Sequence, residues 1–175
     1  MITLVPLADI APARVELLLD AAFGEDRHGR TAYKIRLGMP VVAQMSFAAI
    51  EDEQLLGTIQ AWPAAISGHD GHDPVTLVGP VAVMPAAQGK GIGQALMTKL
   101  LEAADAGASD AMVMIGDPEY YGRFFGFTAE ATGGWDVPGQ VERHRLLARI
   151  RRAGGVRAQG LLGPDPDFAS HAAAA

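Results

Sequence analysis

Residues 81–97, VAVMPAAQGKGIGQALM, constrain the fold more than any other stretch of the chain. An apolar run closes at Pro85, glycines stand at 89, 91 and 93, and a helical pattern begins among them. Its apolar positions Ile92, Leu96, Leu100 and Ala103 share one face, and Gly107 supplies the stop, which predicts a helix over 91–106. A strand and a one-sided helix joined this closely both need apolar cover, so the chain belongs to a layered α/β class. Glycines at a helix entrance also let backbone N–H groups close on a phosphate. Counting positions narrows which one. A Walker loop needs Ser or Thr after its lysine, and Lys90 is followed by Gly91. A dinucleotide fingerprint needs a third glycine, and the candidate positions hold Gln94 and Leu96. The spacing that survives is Q/R-x-x-G-x-G/A, met by Gln88, Gly91 and Gly93. A tight strand-to-helix turn with no ligand is the alternative role for the same glycines.

Around this unit, Ile2–Leu7 reads as a strand. Asp9 as cap, Pro12 in the first turn and Gly24 at the exit frame a helix whose Val15, Leu18, Leu19, Ala22 and Phe23 share a face. A second helix is predicted from Thr31 to about Leu37. Residues 41–50 and 54–62 read as a hairpin across EDEQ, and SGHDGHDP as a loop before a strand over Val75–Met84. Ala111–Ile115 fits a buried strand. Asp117 and Pro118 open a short helix, DPEYYGRFF, and Val141–Ile150 is the predicted last strand. From Gly154 the glycine, proline and alanine content predicts an irregular tail. The expected organisation is therefore one domain over 1–153 and a tail over 154–175.

Composition removes several functions. A net charge of −6 argues against a general nucleic-acid binder. With no cysteine, acyl transfer cannot pass through an acyl-cysteine. No segment reaches the roughly 18 apolar residues of a membrane span and no signal peptide is visible, which predicts a cytoplasmic protein without membrane contact. His69, Asp70, His72 and Asp73 have metal-ligand chemistry but no third ligand elsewhere in sequence, so no metal is expected. Six of the fourteen Lys and Arg residues fall between Arg143 and Arg157, a cluster that suits either an acidic ligand or a solvated strand end.

The Gln88–Gly93 pattern resembles the pyrophosphate-binding signature of the GNAT superfamily of N-acetyltransferases. LVGPVAVMP, VMIGDPEYYGRFFGF, LLLDAAFGEDRHGRTAYKIR and HRLLARI stand in the order found in its YhbS-like branch, so the resemblance covers about residues 1–150. It implies an α/β GNAT fold: a mixed central sheet splayed between strands 4 and 5, with helices on both faces. It also implies acetyl-CoA as co-substrate, with the pyrophosphate on Gln88, Gly89, Lys90, Gly91, Ile92, Gly93 and Gln94. The pantetheine arm would lie on Val81, Ala82 and Val83, with Val83-region N–H groups polarising the thioester. Tyr121 is the implied acid for the departing thiolate, with Tyr120 as the fallback. The tyrosine-to-GF spacing exceeds the family's by one residue, at Phe124–Phe125. Glu25, Asp26 and His28 are candidate bases or simply a solvated junction. The expected reaction is acetyl transfer to a small-molecule or protein amine, by direct attack in a ternary complex. The alternatives are transfer of a longer acyl group from acyl-CoA or an acyl carrier protein, and a non-catalytic CoA sensor. A homodimer is compatible with all three.

Overall fold

The computed structural model describes residues 1–168. Among these residues follow β1 (Thr3–Pro6), α1 (Pro12–Phe23), α2 (Thr31–Ile35), β2 (Phe47–Glu51), β3 (Gln54–Gly68), β4 (Gly71–Val83), α3 (Ile92–Ala103), β5 (Ala111–Ile115), α4 (Pro118–Phe125), β6 (Gly134–Asp136), β7 (Leu146–Ile150) and β8 (Gln159–Pro164). The sheet runs β1-β2-β3-β4-β5-β7, with β8 paired to β3 and β6 to β8. It is mixed: β4–β5 and β6–β8 are parallel, while β1–β2, β2–β3, β3–β8 and β5–β7 are antiparallel.

The chain divides into two compact units, with β3 and β4 contributing to both. The first unit holds residues 1–28, 41–61 and 79–108. Here the EDEQ turn is a two-residue hairpin whose Asp52 and Glu53 have φ of 48° and 65°. Positive φ at both central residues matches the right-handed twist of the flanking strands. Helix α1 buries Val15, Leu18 and Leu19 against Leu7, Ile10, Ala48 and Ala82. Each buried leucine contributes roughly 1.5–3 kcal/mol by leaving water. Pro12 and Gly24 sit at the helix ends as expected, Gly24 with φ of 91°. Asp9 does not cap it, however. The N-cap is Ala11, because Leu7–Asp9 close a separate 3-10 turn first. Helix α3 stops at Ala103 and loosens into a π turn, Ala104–Ala108, around Gly107.

The second unit holds residues 29–40, 62–78 and the described chain from 109 onward. Its core gathers Ile35, Ile66, Leu77, Val113, Trp135, Leu146 and Leu162. Three sequence expectations change here. SGHDGHDP is not a free loop: β3 runs to Gly68 and β4 starts at Gly71, leaving a tight turn. Arg157 holds that tip, donating Nη1 to Asp70 at 2.8 Å and Nε to Asp73 at 3.2 Å. The strand expected over 141–150 is confined to Leu146–Ile150, after a 3-10 turn at Arg143–Arg145. The tail, finally, is not irregular throughout. Gln159–Pro164 form β8 beside Ala64–Ser67 of β3, and Leu162 is fully buried. A Cβ at Gly160 would lie 2.6 Å from the Ser67 oxygen, so this glycine permits a close strand contact. Residues 169–175 of the expected tail lie outside the described residues.

Candidate active site

In the first unit, the site is built from the end of β4 and the start of α3. Among the described residues the β4–β5 ladder comprises Thr76↔Met112 and Leu77↔Val113 and goes no further. Gly79 then takes φ of 124°, and Pro80 has no N–H to donate. Val81–Val83 therefore close the edge of the first unit's strands. A Cβ on Gly93 would stand 3.9 Å from both Val81 Cγ1 and Val83 Cγ2, so these two side chains face α3. Ala82 points the other way, into the α1 core. With side chains alternating above and below, what the strand offers along its edge is backbone amide chemistry.

Beyond β4, Met84 donates its N–H to the Leu56 oxygen at 2.8 Å, and Pro85–Ala87 form a 3-10 turn. Gly89 and Gly91 follow with φ of 81° and 75°, a left-handed geometry that favours glycine. Gly91 is the N-cap of α3 and no side chain caps the helix. The N–H groups of Ile92, Gly93 and Gln94 occupy the first turn, where a helix supplies no acceptors of its own. The helix dipole adds partial positive charge at the same place. Gln88, Gly89, Lys90, Gly91 and Gln94 are exposed, whereas Ile92 is buried and anchors the turn. The close fit beneath comes from Gly57 on β3. A Cβ there would lie 2.8 Å from Ile92 Cγ2 and 2.9 Å from the Ala82 oxygen.

Tyr121 belongs to the second unit. Asp117 caps α4 by accepting the Glu119 N–H at 3.0 Å, and Gly126 ends it in a left-handed conformation. The Tyr121 ring lies over Gly116, where a Cβ would come within 2.6 Å of it. Tyr120 meets it edge-on, with ring centroids 4.9 Å apart. Burial, then the neighbouring Tyr120 and Asp117, push the Tyr121 phenol up to about 12, while Arg145 opposes them. An ordinary phenol value near 10 does not apply. The extra residue of the Phe124–Phe125 pair lies inside α4 rather than after it, with Phe124 exposed and Phe125 buried. Tyr120 packs among both phenylalanines.

The candidate bases Glu25, Asp26 and His28 are all exposed on a 3-10 turn, Glu25–Gly29. The buried group of that junction is Arg27, which the sequence reading passed over. It donates Nε to Asp20 at 3.0 Å and Nη2 to Glu16, stapling the turn to α1. Glu16 and Asp20 stand four apart on one helix face, a spacing of acids that is the sequence signal for a cation there. The arginine cluster is largely absorbed by the second unit. Arg143 donates to the oxygens of Trp135, Thr132 and Gly133, and Arg157 is held by Asp70 and Asp73. The histidine loop does meet distant acids: His72 lies 3.2 Å from Asp167, whose N–H binds Asp165.

A strand edge of backbone groups that leads into an uncapped glycine helix start offers hydrogen bonds to an extended chain and N–H groups to an anion. The family model of the acetyltransferase (GNAT) family matches residues 15–127. This chain belongs to that family. A GNAT family acetyltransferase from Brucella melitensis, solved in complex with acetyl-CoA, is 25% identical over 96% of this chain and 98% of its own, with a TM-score of 0.66. The GNAT family N-acetyltransferase YhbS of Escherichia coli, solved in complex with CoA, shares the fold. It is 22% identical over 97% of this chain and 91% of its own, with a TM-score of 0.70. No curated protein sequence matches the chain. Among the described residues of this GNAT protein, no helix is long and apolar enough to cross a membrane.

Proposed function

We propose that this GNAT protein transfers an acetyl group from acetyl-CoA to a primary amine by direct attack in a ternary complex. The observation that carries the reading is the pairing of Val81–Val83 with the uncapped start of α3. Gly93 lies against Val81 and Val83 themselves, so anchor and arm form one surface. The pyrophosphate sits on the N–H groups from Gly91 to Gln94, with Gln88, Gly89 and Lys90 at its edge. Pantetheine amides pair with the backbone of Val81 and Ala82, and an N–H at Val83 polarises the thioester carbonyl. The Brucella melitensis relative, solved with acetyl-CoA, supports the donor.

The amine nitrogen attacks the carbonyl carbon, the carbon–sulfur bond breaks, and Tyr121 protonates the thiolate. A phenol near 12 keeps its proton throughout the neutral range. Passing that proton alone to an ordinary thiolate, with a thiol pKa near 8.5, would be uphill by about 5 kcal/mol. The transfer therefore runs together with return of the nitrogen's proton to the phenol, and the products are an amide and free CoA. Glu25, Asp26 and His28, being exposed, contribute no desolvated base.

A thermal-shift series with acetyl-CoA, longer acyl-CoAs and free CoA tests binding, and an amine panel followed by CoA release tests transfer. Acetyl-CoA should stabilise the protein, and Tyr121→Phe should lower turnover about 100-fold while sparing cofactor affinity. Absence of stabilisation by every thioester refutes the reading. Unchanged turnover in the variant moves the acid to Tyr120.

A further inference from the structure

The turn between β3 and β4 carries two histidines and two aspartates, and the fold gives them different work. Asp70 and Asp73 both hold Arg157, at 2.8 Å and 3.2 Å. His69 is exposed. His72 instead meets the chain just beyond β8, where its Nε2 stands 3.2 Å from Asp167 Oδ2. One ligand atom from each of His72, Asp165 and Asp167 lies within 4.8 Å of the other two. All three residues belong to the second unit. The further ligands that the sequence around His72 does not show therefore come from about ninety residues later.

Two acids near a histidine are common on protein surfaces, and Asp165 is what sets this group apart. Its residue exposure is only 5%. Oδ1 accepts the Asp167 N–H at 2.9 Å, which occupies one of about four acceptor positions on a carboxylate. Among the described residues no lysine or arginine pairs with Asp165. A carboxylate taken out of water and set beside a second one needs a cation close by.

The donor atoms select the cation. One imidazole nitrogen with two carboxylate oxygens suits a borderline divalent ion, Zn²⁺ foremost, whereas Mg²⁺ and Ca²⁺ take oxygen throughout. Ligands at about 2.1 Å in a tetrahedron stand roughly 3.4 Å apart. The 3.2 Å between His72 and Asp167 already has that spacing. The remaining separations close with about an ångström of side-chain movement, for which Asp167, exposed at 74%, and His72, at 26%, have room. The same exposure gives an ion its way in, and three protein ligands leave a fourth position for water.

We propose that His72, Asp165 and Asp167 bind a divalent cation of the Zn²⁺ class, which fastens the chain leaving β8 to the start of β4. β8 is paired with β3 and β6 and not with β4, so the ion adds a tie that the sheet does not make. It takes no part in acyl transfer.

The test uses the full untagged chain, stripped with EDTA, at about pH 7.5, where an ordinary imidazole is mostly neutral. Calorimetry and melting temperature are read with ZnCl₂, MgCl₂ and CaCl₂ for wild type, His72→Gln, Asp165→Asn, Asp167→Asn and His69→Gln. Wild type should bind one Zn²⁺ per chain and melt about 5–10 °C higher at a hundredfold excess over the dissociation constant. Mg²⁺ and Ca²⁺ should do neither. His72→Gln and Asp167→Asn should weaken Zn²⁺ binding at least about tenfold, and His69→Gln should stay within about twofold. Asparagine caps a turn as well as aspartate does, so Asp165→Asn should fold normally and still lose the ion. Should it fail to fold, the exposed Asp167→Asn and His72→Gln decide the matter. No saturable Zn²⁺ binding by wild type overturns the proposal and leaves a protonated His72 as the counter-charge. Binding unchanged in His72→Gln and Asp167→Asn overturns it as well, since the ion then sits elsewhere on the surface. Equal response to Mg²⁺ or Ca²⁺ removes the imidazole from the site and refutes the assignment.

Discussion

Replacing Tyr121 by phenylalanine should change how stability depends on alkaline pH. The folded protein holds this phenol up to about 12, chiefly by burial, against about 10 in an unfolded chain. A group whose pKa is raised on folding contributes its stability in full below the unfolded value and loses it as pH climbs through the folded one. The window is therefore pH 10–12. At pH 11 the unfolded phenol is mostly ionised and the folded one mostly is not, a difference of about 1.4 kcal/mol. The ring retains partial exposure, and solvent screening trims the effect toward about 1 kcal/mol. Urea unfolding of wild type and Tyr121→Phe at pH 8 and pH 11 reads it, because titrating groups remote from this phenol cancel between the two proteins. Wild type should lose about 1 kcal/mol more than the variant between those pH values. Equal losses would show a water-exposed phenol, and the coupled proton transfer proposed for Tyr121 would lose its basis.

Gly57→Ala should destabilise by about 1–3 kcal/mol, since the new methyl meets Ile92 Cγ2 and the backbone oxygen of Ala82 inside 3.0 Å. It should also weaken acetyl-CoA binding by moving the first turn of α3 off β4. Calorimetry and urea unfolding read both, and a loss under about 0.5 kcal/mol would contradict the close fit. Leu162→Ala should cost about 2–4 kcal/mol in urea unfolding, because β8 buries this side chain completely; a surface-sized effect would show that β8 is not part of the second unit's core.

Local signals were legible wherever a residue type has one physical use at one position. Pro12, Gly24, Asp117 and Pro118 mark helix ends because they act on their own backbone, and the structure finds them there. The helix after the glycine loop was legible for the same reason, as was a hairpin turn at EDEQ, although the strand before it begins at Phe47 rather than at residue 41. Asp9 failed as a cap because a preceding 3-10 turn took the residue, an outcome of chain direction rather than of propensity. The β8 segment was hidden because its glycines look like looseness. Gly160 is small so that a neighbouring strand can approach, and that neighbour lies about ninety residues earlier.

The site divides along the same line. By itself the sequence determined the order of elements from β1 to α4, the glycine spacing at 88–93, and the absence of a thiol nucleophile, since each is settled along the chain. Only the tertiary structure decided which atoms are left without water. Packing turned Tyr121 from an ordinary phenol into one held near 12, buried Arg27 rather than the acids beside it, and left the Thr58 and Gln60 oxygens unpaired. Burial depends on what arrives from distant parts of the chain, and the chemistry of a polar group depends on burial. That is why the motif was readable in one dimension and the behaviour of its surroundings was not.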